Sequence, residues 1–307
     1  MSPIALNGNS TTNGSTKPTK DVLASLDKVL PLVRRNPLKD LLAAGGFAPA
    51  YYIQMCHSPE VVNLAKLAGY HALVMNLEHH KTGLDTASDL CFTSLAYGIA
   101  PICIVPSLQS DWISRLLDNG AQGIIVPRVG TAEQAKLMVK YSKHRPLGER
   151  PLAFSPQLQY QIPDFAQAQE AQNATTITAP MIETVEGLGN VEAIAAVVGI
   201  DAIFVGVHDL SDDMGIGGEF SNPKIYEALS RICRAAAAAS VDGRTVFVGF
   251  GGLEWRPDII SRLRRDFGTT VGFAIAGRDG TFLFNGMKEV VARFKDVEAG
   301  KEVAAFV

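Results

Sequence analysis

From Phe47 onward, short apolar runs alternate with amphipathic stretches. Eight runs are rich in β-branched and aromatic residues: Phe47 to Met55, Ala72 to Leu77, Pro101 to Val105, Gly123 to Val126, Ile177 to Ile182, Ala202 to Val207, Val246 to Phe250 and Val271 to Ala276. Runs this short, with hardly a polar position, fit strands buried on both faces. Between them lie stretches such as Pro59-Glu-Val-Val-Asn-Leu-Ala-Lys-Leu and Ala132-Glu-Gln-Ala-Lys-Leu-Met-Val-Lys-Tyr. The second is apolar at i, i+3, i+4 and i+7, the spacing of one helix face. Asn36-Pro37 opens an earlier helix. Eight strand–helix units in about 250 residues is the length of a (β/α)8 barrel. The fold class expected is therefore α/β, a TIM barrel. A doubly wound open sheet is the alternative, but no GxGxxG follows the first strand. The segment Arg150 to Thr176 breaks the rhythm, and its Pro, Gln and Phe content reads as a lid or substrate loop.

Composition narrows the class. The 307 residues suit one large domain, 21–307, behind an Asn-, Ser-, Thr- and Gly-rich tail, 1–20, that reads as disordered. Hydrophobic residues at 47% against 19% charged are globular proportions. A formal net charge of −3 gives no basic face for nucleic acid. No apolar run is long enough to span a bilayer, and the N-terminus lacks signal-peptide order. Cys56, Cys91, Cys103 and Cys233 show no CxxC spacing and read as reduced, buried thiols, so a cytoplasmic protein is expected.

Two carboxylates mark the chemistry. Glu183 ends the run Thr178-Ala-Pro-Met-Ile, and Asp209 follows Asp201-Ala-Ile-Phe-Val-Gly-Val-His. The C-terminal ends of parallel strands are where α/β proteins place their sites. A converging carboxylate pair suits a hard divalent cation. Read alone, Glu183 is a cap or an ion-pair partner; with Asp209 it is a metal ligand. His79, beside Glu78 at the end of the second run, reads as a base rather than a structural histidine. Asp212 and Asp213 read as solvated first-turn residues, and His80 as a surface residue. Gly249-Phe-Gly-Gly252 reads as a tight turn rather than an anion cradle.

Four segments carry a family resemblance: Asn76-Leu-Glu78-His79, Val126-Pro-Arg-Val-Gly-Thr-Ala-Glu-Gln-Ala, Pro180-Met-Ile-Glu183-Thr, and Phe204-Val-Gly-Val-His-Asp209-Leu-Ser-Asp-Asp-Met-Gly215. The chain resembles the HpcH/HpaI aldolases, metal-dependent class II pyruvate aldolases similar to citrate lyase β subunits and macrophomate synthase. The resemblance implies a barrel, a Mg²⁺, Mn²⁺ or Co²⁺ ion held by Glu183 and Asp209, and His79 as base. It implies Asp118 as the carboxylate orienting that base, and a homotrimer or homohexamer whose subunits exchange the last helix. The family's second strand ends on an acidic residue where this chain has Asn76. Its third strand ends on an arginine that holds the 2-oxo acid, a place taken here by Val105. Met181 stands for a family glutamine, Val207 for a proline, and Arg150-Pro151 for Arg-Gly. Val105, Met181, His208 and Arg150 are thus the expected substrate-binding residues. Loss of one charge-assisted donor costs ~3–4 kcal/mol of transition-state stabilisation. The substrate expected is a small-molecule 2-oxo or β-dicarbonyl acid, larger and more apolar than pyruvate, that chelates the ion by itself. Three functions follow: a metal-dependent carbon–carbon lyase, a cyclase of the macrophomate synthase kind, or a family member that has lost its reaction.

Overall fold

The computed structural model describes residues 33–303 except 162, 163 and 242; the expected disordered tail lies outside them. Each apolar run is a strand: β1 Ala48–Ile53, β2 Ala72–Asn76, β3 Ala100–Ile104, β4 Gly123–Val126, β5 Ile177–Ile182, β6 Ala202–Gly206, β7 Phe247–Gly251 and β8 Val271–Arg278. All pair in parallel with their neighbours, and β8 closes on β1. This is the (β/α)8 barrel. The helices are α1 Pro37–Ala43, α2 Glu60–Leu67, α3 Leu84–Tyr97, α4 Ser110–Asp118, α5 Ala132–Ser142, α6 Phe165–Thr175, α7 Val185–Gly189, α8 Val191–Ala195, α9 Val207–Asp213, α10 Pro223–Ala239, α11 Pro257–Phe267 and α12 Asp279–Glu298. Among the described residues no helix is long and apolar enough to cross a membrane.

Two buried layers explain the unbroken runs. Alternate strand residues fill the barrel, among them Tyr52, Val74, Ile102, Ile104, Met181, Phe204 and Phe273. Their neighbours, such as Ile53, Met75, Cys103, Val105 and Val205, pack outward under the helices. Each fully buried Leu, Ile or Phe contributes ~1.5–3 kcal/mol. Gly249 exists because a Cβ there would stand 2.1 Å from the Phe273 ring.

Leu38 and Leu42 of α1 belong to the interior layer and plug the N-terminal mouth. Asn36 caps α1 by accepting from the amides of Leu38 and Lys39. Its own amide donates to the carbonyls of Gln122 and Thr175, tying the plug to the strands that begin there.

The segment Arg150 to Thr176 is not a lid over the site. α5 carries the chain back from the C-terminal end of β4, so everything between it and β5 lies at the N-terminal mouth. There the segment forms a 3₁₀ turn, Pro156–Leu158, and α6. Leu158, Ala168 and Ala171 bury against Val33 in a small separate core.

Candidate active site

Three strand ends converge at the C-terminal mouth. At β2, the Asn76 side chain accepts from the amides of Glu78 (2.7 Å) and His79 (2.9 Å), fixing the turn that presents both. Glu78 is nearly buried, while His79 is 58% exposed with Nε2 3.5 Å from the Glu78 carboxylate. Beyond β4, Arg128 takes a left-handed backbone, φ 53°, a conformation unfavourable outside glycine. That turn aims its N–H at Glu183 Oε1, 2.8 Å away. Its guanidinium pairs with Glu78. Beyond β5, Glu183 is 5% exposed. β6 ends in Gly206, where a Cβ would stand 2.7 Å from Glu183 Oε2 and 3.1 Å from the Met181 sulfur. Asp209 follows in the first turn of α9, exposed to the mouth.

The electrostatics leave negative charge in excess. Burial pushes the Glu183 carboxyl up to about 7, helped by the charges of Asp209 and Glu78 and opposed by the Arg128 N–H. Three carboxylates thus crowd a cavity of about 260 Å³ lined by Glu78, Glu183 and Asp209, and the Arg128 guanidinium answers only one of them. Among the described residues no three His, Cys, Asp or Glu side chains form a closed metal cage. A divalent ion would be held by Glu183 and Asp209, with the rest of its oxygen shell open. The glycine clearance and the surplus negative charge fit such an ion.

The other expected residues divide. Met181 and His208 line the same cavity. His208 meets Phe220 and Trp255 edge-on, with centroids 5.1 and 5.3 Å apart. Val105 does not line it. Val105 packs outward under the helices, and Ile104 is the β3 residue that faces the pocket. Ile104 pairs in register with Asn76. The residue beside Asn76 at the mouth is therefore the apolar Ile104 and not Val105.

Asp118 and Arg150 are brought together, 2.6 Å apart, but not with His79. Asp118 ends α4, which runs back from β3, so this pair sits at the N-terminal mouth. Within the single chain Arg150 is a buried ion-pair partner there, and neither it nor Asp118 lines the C-terminal cavity with His79.

Tyr52, Trp255 and Arg278 also line the cavity and were missed in the sequence. Arg278 had a signal, since it is the charged residue just past the eighth apolar run. Tyr52 falls on the interior alternation of β1. Trp255 lies on a loop and had none.

The family model for HpcH/HpaI aldolase/citrate lyase matches residues 54–249. The chain belongs to the HpcH/HpaI family. It is 36% identical over 207 residues to the 4-hydroxy-4-methyl-2-oxoglutarate aldolase cghB of Chaetomium globosum, covering 66% of this chain and 76% of that protein. The crystal structure of an HpcH/HpaI aldolase from Desulfitobacterium hafniense superposes with a TM-score of 0.72 at 26% identity, over 88% of this chain and 98% of the other. Macrophomate synthase shares the fold, with a TM-score of 0.66 at 24% identity over 87% of this chain and 91% of its own.

Proposed function

We propose that this protein is a divalent-metal-dependent carbon–carbon lyase acting on a 2-oxo or β-dicarbonyl acid. One observation carries the reading: buried Glu183 and Asp209 line one cavity at the C-terminal mouth, where the absence of a side chain at Gly206 leaves room for the Glu183 carboxylate. The aldolase name of the Chaetomium globosum relative supports the reaction class.

Glu183 and Asp209 hold the ion, with the Arg128 N–H fixing the Glu183 carboxylate. When bound, Mg²⁺, Mn²⁺ or Co²⁺ supplies Lewis-acid polarisation of the substrate's oxo group and balances the charge that develops there. His79, exposed at the rim, takes the proton of the 4-hydroxyl in the cleavage direction. The C3–C4 bond then breaks, its electron pair passes toward C2, and a proton returns to C3. Imidazole is suited to both transfers near neutral pH. Ile104, Met181, Phe204 and Ile275 line the cavity, so its walls favour a substrate with an apolar substituent.

Two further readings accompany this one. α12 exposes Phe282, Phe284, Met287, Val291 and Phe294, and such a surface suits burial on a second copy in a homotrimer or homohexamer. Four free cysteines, three of them buried, suit a reducing cytoplasm.

The test is turnover of 4-hydroxy-4-methyl-2-oxoglutarate and of β-dicarbonyl acids with each ion, against EDTA. Glu183→Ala and Asp209→Ala should each abolish both Mn²⁺ binding by calorimetry and turnover. Equal Mn²⁺ affinity in wild type and both variants would sink the assignment.

A further inference from the structure

The cavity has a second pole opposite its carboxylates. Arg278, at the end of β8, lines the pocket and is 27% exposed. Its guanidinium lies over the rings of Tyr52 (5.4 Å) and Trp255 (5.9 Å), which hold the plane of the fork. Nε donates to Glu254, a carboxylate only 8% exposed.

The manner of that pairing is informative. Arg35, Arg231 and Arg256 each grip a carboxylate at two points, through Nε and a terminal nitrogen. Arg278 grips Glu254 through Nε alone. Among the described residues its terminal nitrogens donate to no protein acceptor, and the buried Glu254 Oε2 has no partner. A single-point grip also occurs in the buried Arg150–Asp118 pair; what sets Arg278 apart is that its two open donors stand beside the pocket it lines. Arg128 is already paired with Glu78 and does not line the cavity. The inward end of β3 is Ile104 and offers no donor.

We infer that Arg278, positioned by Glu254, Tyr52 and Trp255, anchors the carboxylate of the substrate through its open terminal nitrogens. This rests on the 2-oxo acid reading above. It places the acid end of the substrate toward β8 and its oxo group toward Glu183 and Asp209. Two parallel charge-assisted bonds match a planar carboxylate.

The probes are pyruvate and its neutral analogue pyruvamide. Binding to the Mg²⁺-loaded protein is read by tryptophan fluorescence and calorimetry. Wild type should prefer pyruvate. Arg278→Met should weaken pyruvate by ~10–100-fold, the equivalent of ~1.5–3 kcal/mol for hydrogen bonds to a charged group, and leave pyruvamide nearly unchanged. Arg278→Lys, which keeps charge and loses the fork, should retain the preference with an affinity several-fold below wild type. A melting curve establishes folding, and the lysine variant alone carries the test should the methionine variant not fold. An unchanged pyruvate affinity in either folded variant overturns the inference and leaves the lyase reading standing. Wild type that binds neither pyruvate nor any other 2-oxo acid overturns both.

Discussion

The two mouths of this barrel hold the same kinds of residue in opposite states. At the N-terminal mouth every buried charge is answered. Asp118 pairs with Arg150. Asp201 accepts from Lys143 at 2.8 Å and Lys39 at 2.7 Å. The buried Lys143 ammonium also donates to the carbonyls of Asn173 and Thr176, and His144 is bonded through both ring nitrogens. A cavity of about 980 Å³ opens there, larger than the one at the other end. The buried charges on its wall, Lys143 and Asp201, are already paired, so size does not make it reactive. At the C-terminal mouth Glu78, Glu183 and Asp209 crowd together, Arg128 sits in a left-handed backbone and Arg278 keeps an open fork. Paired charges specify a fold; an unbalanced set of charges beside a cavity prepares one for a ligand.

The sharpest way to separate the mouths is by kinetics. His79→Ala should cut turnover by roughly 10²–10⁴-fold, the span of a positioned acid–base group. Mn²⁺ affinity should hold, because His79 is not a ligand. Wild-type turnover in that variant would remove His79 from the mechanism. Asp118→Asn belongs to the other mouth, where it leaves the buried Arg150 short of a carboxylate. The expected loss is ~1–3 kcal/mol of stability. A fall in kcat in an Asp118→Asn protein that melts like wild type would mean that Asp118 reaches the mouth of a second copy.

Stability should respond with opposite signs at the two ends. Lys143→Met removes one of two cations from Asp201 and leaves two carbonyls unpaired, so a loss of ~3 kcal/mol is expected. Glu183→Gln relieves crowding among carboxylates, so the metal-free protein should gain ~0.5–2 kcal/mol while losing its ion. Urea melts in EDTA measure both. A Glu183→Gln protein less stable than wild type would mean that the upper charges are as well matched as the lower ones.

How much of this was legible follows the same division. Strands buried on both faces declare themselves as apolar runs, so all eight were readable. For the same reason their facing was not: in Ile102-Cys-Ile-Val105 no polar position breaks the alternation. Only pairing of Ile104 with Asn76 fixes which residue looks inward. That Glu183, Asp209 and His79 share one mouth was legible because polar residues stand out at the ends of apolar strands. The place of Asp118 and Arg150 at the far mouth of their own chain was not read, although topology contains it, since a helix after a strand returns to the opposite mouth. Arg278 meets Tyr52 only because β8 closes on β1, a contact with no local trace in the chain.

A last test reads the lower mouth through pH. Burial brings Lys143 down to about 8 from its ordinary 10.5, while the Asp201 carboxylate pulls the other way. Below pH 8 folded and unfolded chains both hold the proton, and the cost of an enclosed ammonium is felt in full. Between about 8 and 10.5 the unfolded chain binds a proton that the folded one lacks, so stability rises with pH across that window. Lys143→Met has no such contribution. The stability gap between wild type and variant should therefore be flat below pH 7 and widen from pH 8 to 10.5. Taking the difference cancels the tyrosines and thiols that titrate in the same range. Urea melts at pH 6.5, 8, 9.5 and 10.5 suffice. A gap that narrows above pH 8 would show that Asp201 holds the ammonium charged, and that attraction rather than desolvation governs the buried pair.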